Sequence, residues 1–517
     1  MLKLIWKPKN LNTKNIRILP YTKTVHTMSE NFLKFITPCA LFIALLNPAR
    51  ASGQISVDSI SNIIKNEVAH KRSKSIIVGI VDANGRHILS AGVLSDKDRR
   101  LPDGDTEYEI GSITKVVTGI MIADMSLKKQ LQLTDPLLKF LPAELNPVSS
   151  RVREITLLNL LTHTSGFPRF PDNSYPKDLE NPYADYTRKQ LYDYVARFQP
   201  AQEPGSSFQY SNTGYSLLGQ VLSKVSGKDY ESLVKEQICA PLKMNSTVIT
   251  LTPALKKNMA IGHNAYGKPV ANWDMPAVAG NGALRSNVND MLNFVEANLG
   301  LLKSDLYPAM ELSHVKQLRK GNDNAFITLG WTLFDDNGKQ ILLKDGATAG
   351  YSSLVAIDKK NKRGIVVLTN SLNQVKDIAY HMLDSSYPLI PYQYKWALLD
   401  TINPIARQKG ADVAIARYEQ LKTLKSSDFV FDEYVLGAAG DELRKAGKWA
   451  DAIKMYRFNL KEYPKSIETY EKLADLLART GKKKMALATY QQLLSIDPQN
   501  PHAHWMLKHL KGKAVIN

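Results

Sequence analysis

Two blocks of strand-forming sequence stand at opposite ends of a long helix-forming stretch, and any fold of this chain has to gather them into one sheet. Residues 76 to 92 read as a hairpin. Ile76 to Val81 is an apolar, β-branched run, Asn84-Gly85 supplies the turn, and His87 to Ala91 returns. The second block comes much later, with strand candidates at Gln340 to Lys344, Tyr351 to Asp358 and Gly364 to Thr369, and a further one at Phe326 to Phe334. Neither block can cover its own apolar faces, so the sheet is assembled from distant parts of the sequence, with the intervening helices packed on it.

Three short motifs lie in the region these blocks enclose. The first is Ser112-Ile-Thr-Lys115. Ser-x-x-Lys also occurs at Ser126/Lys129, Ser174/Lys177, Ser232/Lys235 and Ser313/Lys316, so context has to choose. Only Ser112 follows a turn-rich stretch and opens an apolar segment, Val116 to Met125, that reads as a buried helix. Residues three apart share a helical face, so Lys115 can direct its amine at the Ser112 hydroxyl. Apolar surroundings favour the neutral amine, which can take a proton from serine. The bland alternative is an exposed lysine beside a capping serine.

Tyr210-Ser-Asn212 follows the turn formers Pro204-Gly-Ser-Ser207 and precedes a helical run from Leu217 to Val225. Its phenol can relay protons and its amide can hold a substrate carbonyl. The competing reading is a capping asparagine beside a packed tyrosine. Lys344-Asp-Gly346 ends an apolar strand and runs into Ala347. There Gly346 lets a substrate lie close to the backbone, and the amides of Ser112 and Ala347 can form an oxyanion hole.

With the linking segments Glu109-Ile-Gly-Ser-Ile-Thr-Lys115, Leu160-Leu-Thr-His-Thr-Ser-Gly166, Ala279-Gly-Asn-Gly-Ala-Leu284 and Lys344-Asp-Gly-Ala-Thr-Ala-Gly350, the chain resembles the class C β-lactamases and the related penicillin-binding DD-peptidases and esterases over roughly residues 55 to 390. The resemblance implies an α+β (α/β) fold: an antiparallel sheet of about five strands flanked by helices, with an inserted helical region and the active site between them. It also implies a serine hydrolase without cofactor, in which Ser112 is acylated and Lys115 and Tyr210 share the acid–base work. Asn212 would then position substrate, and Lys344, with Gly346 and Ala347, would bind its polar end. The family often carries threonine or serine where this chain has Asp345. Asp345 would repel a substrate carboxylate, or pair with Lys344 and weaken its field, which favours a DD-peptidase or an esterase over an efficient β-lactamase. His163 and Ser165 do not form a serine–histidine triad on this reading, because no Gly-x-Ser-x-Gly elbow surrounds Ser165.

The remaining features bound the setting. Of the formal net charge of +18, six positive charges lie in residues 1–27 and a net one in residues 28–51, which leaves +11 on the rest. No basic run interleaved with aromatics reads as a nucleic-acid groove. From Met28, a lysine, an apolar core and Ala49-Arg-Ala51 match a signal peptide too short and too interrupted by Pro38 for a membrane span. Export to the periplasm or medium is therefore expected. Cleavage would leave Cys239 as the one cysteine, in a context that reads as a buried structural thiol. His502-Ala-His504 is the only closely spaced histidine pair and reads as a solvated helix start, so no metal is expected.

Beyond about residue 395, Gly440, Gly447, Ala452, Tyr456 and Pro464 recur 34 residues later as Ala474, Gly481, Ala486, Tyr490 and Pro498, the spacing of a tetratricopeptide repeat. Helices near 394–408, 411–422 and 504–511 would cap the two repeats. The expected organisation is an extension and signal peptide over 1–51, a hydrolase domain over 52–392 and a helical-repeat domain over 393–517. The repeats either bind a protein partner or brace the hydrolase. As an alternative to a turning-over hydrolase, a slowly deacylating penicillin-binding sensor or scaffold would signal through them. The proline-rich loop from Phe167 to Tyr186 either lines the cleft or wraps the surface.

Overall fold

A computed structural model describes residues 55–511 apart from 322–323, 337, 393 and 426–427. The expected signal peptide lies outside the described residues. The strands are β1 (Ser75–Asp82), β2 (Gly85–Gly92), β3 (Tyr108–Glu109), β4 (Arg285–Ser286), β5 (Leu318–Arg319), β6 (Ala325–Ile327), β7 (Thr332–Asp336), β8 (Lys339–Ala347), β9 (Ser352–Asp358) and β10 (Arg363–Thr369). β3 and β4 form a ribbon of their own. The others make one antiparallel sheet in the order β2-β1-β10-β9-β8-β7-β6-β5. The two sequence blocks meet where β1 pairs with β10, Ile76 opposite Thr369 and Val81 opposite Gly364.

The sheet has eight strands rather than about five. The extra ones come from residues 318–336, where the single strand expected over Phe326 to Phe334 is instead a hairpin. Gly330, at φ 105°, turns the chain between β6 and β7.

Helices cover both faces: α1 (Val57–Ala69), α2 (Thr114–Leu127), α3 (Asn212–Ser226), α4 (Val288–Asn298) and α5 (Lys376–Leu383). Side chains alternate across a strand. Ile76, Val78 and Ile80 of β1, with Leu354 and Ala356 of β9, pack on Ile60 and Ile64 of α1 and Ile378 of α5. Ile77, Val81, Val355 and Ile357 join the larger core beneath α2, α3 and α4. Burial on both faces is why these strands read as unbroken apolar runs rather than as alternating ones. Each large apolar side chain so buried contributes about 1.5–3 kcal/mol.

The C-terminal helices are α6 (Ala397–Lys409), α7 (Ala411–Thr423), α8 (Glu433–Lys445), α9 (Trp449–Glu462), α10 (Ile467–Arg479), α11 (Lys483–Ile496) and α12 (Pro501–Lys511). The repeat positions Ala452, Tyr456, Ala474, Ala486 and Tyr490 are buried in a third core. Tyr175 and Tyr266, from the loops before and after α3, pack against that same core. Tyr175 stacks on Trp505 of α12, with ring centroids 6.2 Å apart, and lies under the Arg479 guanidinium. Glu180 pairs with Arg444 at 3.1 Å and Lys445 at 2.8 Å. The loop from Phe167 to Tyr186 therefore touches the repeats. Among the described residues no helix is long and apolar enough to cross a membrane.

Candidate active site

Ser112 sits in a single 3-10 turn, Gly111–Ile113, that runs directly into α2. Gly111 has φ 50°, and a Cβ placed on it would stand 2.8 Å from the Ala347 nitrogen. This close approach brings the Ser112 turn against the end of β8, so that Ser112 and Ala347 are neighbours. Gly346 serves the same contact. A Cβ there would lie 2.1 Å from the Ile110 carbonyl oxygen and 2.5 Å from Ser353 Oγ. The space that its side chain would need is thus taken up by the chain itself, while Gly346 also lines the cavity.

Lys115 is completely buried. Its Nζ lies 3.1 Å from Ser112 Oγ, 2.7 Å from Asn212 Oδ1 and 2.6 Å from the Asn281 carbonyl oxygen. A neutral amine has two protons and one lone pair. As an ammonium Lys115 donates to all three oxygens; once neutral, it can keep Asn212 Oδ1 and the Asn281 carbonyl as acceptors of its two protons and turn its lone pair to Ser112. Burial pushes the Lys115 ammonium down to about 8.

The Tyr210 hydroxyl donates to Ser112 Oγ at 2.9 Å. Burial by itself would raise this phenol, but the positive charges of Lys115 and then Lys344 outweigh it and bring it down to about 7. The Lys344 Nζ sits 5.4 Å from the centre of the Tyr210 ring. Lys115 and Tyr210 thus share one hydroxyl and titrate as a pair near neutrality.

These groups open onto a cavity of about 380 Å³ that includes Ser112, Tyr210, Lys344, Gly346 and Ala347. Lys115 and Asn212 lie beneath it, and so all seven residues singled out in the sequence converge. Asp345 is shared between Lys344, whose charge acts on it, and a second lysine. Neighbouring residues of a strand point to opposite faces, and the Asp345 carboxylate meets Lys376 Nζ at 2.7 Å. Burial raises its pKa, yet the charges of Lys344 and Lys376 more than offset that and hold it below the usual carboxylate range. Lys344, Arg169 and Lys320 line the same cavity, with Asp345 the one acidic residue among its lining residues. The cleft is cationic.

His163 is a contributor that the motifs alone do not single out. It is buried at φ 60°, its ring lies 4.5 Å from that of Tyr210, and its Nδ1 accepts from the Ser211 nitrogen at 3.1 Å. Burial holds it neutral, with its pKa well below the ordinary value. It braces Tyr210 and the start of α3. Cys239 is buried, its thiol pushed up to about 12 by burial. His502 is not solvated as expected: it meets Asp475 at 2.9 Å and is half-buried.

A β-lactamase family model matches residues 60–383. The chain belongs to the β-lactamase family. A tetratricopeptide-repeat model matches residues 443–510 of this family member. A β-lactamase of Escherichia coli K12 is 26% identical over 368 residues, 65% of this chain and 94% of that one. The D-alanyl-D-alanine-carboxypeptidase/endopeptidase AmpH of the same strain is 27% identical over 307 residues, 56% of this chain and 78% of that one. The crystal structure of D-alanine carboxypeptidase AmpC from Burkholderia cenocepacia superposes with a TM-score of 0.55 at 24% identity, covering 63% of this chain and 99% of that one. A class C β-lactamase structure gives 0.57 at 22% identity, covering 65% and 97%. These superpositions show the fold. The β-lactamase-family domain is a serine hydrolase.

Proposed function

We propose that this chain is an exported serine acyl hydrolase that forms a covalent Ser112 acyl-enzyme, with D-alanyl-D-alanine peptides as its leading substrate, ahead of β-lactams and carboxylic esters. The observation that carries the reading is the placement of Lys115 Nζ and the Tyr210 hydroxyl, which both hydrogen-bond Ser112 Oγ, at 3.1 and 2.9 Å, so that loss of one proton from this pair leaves a base beside the serine. In the proposed reaction the Lys115–Tyr210 pair accepts the Ser112 proton as Oγ attacks the substrate carbonyl. The Ser112 and Ala347 amides receive the negative charge that develops on the carbonyl oxygen. Tyr210 then protonates the leaving amine, and the same pair activates the water that releases the acid.

The cleft, with three cations to one carboxylate, favours a substrate with a free carboxylate, and the ion pair of Asp345 with Lys376 offsets part of the repulsion that Asp345 would exert on it. That moves the balance away from an uncharged ester. Release of D-alanine from a defined peptide ending in D-alanyl-D-alanine is the test. Release by the wild type and not by Ser112→Ala supports the reading, whereas ester hydrolysis without D-alanine release would replace it with an esterase.

A further inference from the structure

A second cavity, also about 380 Å³, adjoins the site. Arg169 lines both, and Asn212 and Asn281, the two acceptors of Lys115, form the inner end of the second one. Its side walls are apolar and aromatic, with Phe170, Pro176, Tyr183 and Val278. Its outer wall comes from elsewhere in the sequence: Pro501 and His502, the first residues of α12. His502 is held there by Asp475 of α10, whose carboxylate also takes the Tyr490 hydroxyl of α11.

Resting on the acyl-enzyme reading above, we infer that this cavity receives an aromatic or similarly bulky apolar side chain on the acyl half of the substrate, and that the last repeat helix, through Pro501 and His502, determines which side chains fit. An acyl group on Ser112 has two ways to lie. The cleft holding Lys344 and Lys320 is polar and charged, and suits the carboxylate-bearing leaving half. The cavity past Arg169 is mostly apolar, with its acidic member Asp172 already paired to Arg197, and is of the size usual for small-molecule pockets. The repeats thus build part of the substrate site, in addition to packing on the hydrolase.

Two penicillins differing only in this group provide the test: benzylpenicillin, with its phenylacetyl side chain, and 6-aminopenicillanic acid, which has none. In both, Ser112 Oγ bonds to the lactam carbonyl carbon, the lactam C–N bond breaks and the nitrogen takes a proton. Acylation efficiency of the full-length chain is followed by mass spectrometry. The wild type should favour benzylpenicillin about tenfold or more, and His502→Trp, which fills the outer wall, should reduce that ratio towards one. Tyr183→Ala, which removes an apolar wall without adding bulk, should also lower the ratio and decides the matter should the tryptophan disturb folding. A ratio unchanged in the variants, with both compounds still acylating Ser112, overturns the pocket assignment alone. Acylation by neither compound in the wild type removes the acyl-enzyme reading and the pocket with it.

Discussion

Lys115 and Tyr210 set how the site responds to pH. With all groups protonated, neither can take the Ser112 proton. Loss of one proton from the pair, with Tyr210 brought to about 7 and Lys115 to about 8, creates the base. The acylation rate should therefore rise as pH increases through about 7. Lys344 lowers both groups by its charge. Lys344→Met removes that charge, so both pKa values move up and the rising limb of kcat/KM should shift to higher pH, as a pH–rate profile on a neutral ester will read. An unshifted limb would show that Lys344 does not act on the pair. His163 shows where residue-level reading of the sequence stops. Without a nucleophile elbow it is correctly set aside as a triad member, but its stacking on Tyr210 depends on a left-handed backbone at His163 that no motif announces.

At the scale of elements, the site depends on how closely β8 lies against the Ile110–Ser112 turn. Gly346→Val would drive a side chain into the Ile110 carbonyl, which belongs to backbone and cannot rotate away. A stability loss of about 1–3 kcal/mol is expected from such overpacking. A drop of about 100-fold in kcat should accompany it as Ser112 and Ala347 move apart. Denaturant unfolding and steady-state kinetics on the same variant check the two together. The hairpin β1–β2, strands β8 to β10 and helix α2 were legible from β-branched runs, turn residues and apolar continuity. The split of residues 326–334 into β6 and β7 was not, because the apolar spacing continues through Gly330 and only the turn there breaks it. The pairing of Asp345 with Lys376 was hidden for a related reason, since adjacency in sequence to Lys344 says nothing about which residue of α5 faces the carboxylate.

For the whole molecule, the 34-residue period correctly announced stacked helices but left open what they pack on. The structure answers with Tyr175 and Tyr266 in the repeat core and Glu180 between Arg444 and Lys445. These contacts are non-local, and Tyr175 and Glu180 sit in a proline-rich loop whose sequence fits a surface wrap equally well. His502 misled for the same reason, while His504 is exposed as read: a helix start reads as solvated until its neighbour is known. The claim on which the molecule's function turns remains the acylation of Ser112. Mass spectrometry of the intact protein after brief and long exposure to benzylpenicillin, with Ser112→Ala alongside, tests it most directly. The account predicts one added penicillin mass on the wild type, mapped to the peptide containing Ser112 and absent from Ser112→Ala. No adduct and no hydrolysed penicillin from the wild type, or an equal adduct on Ser112→Ala, would contradict it.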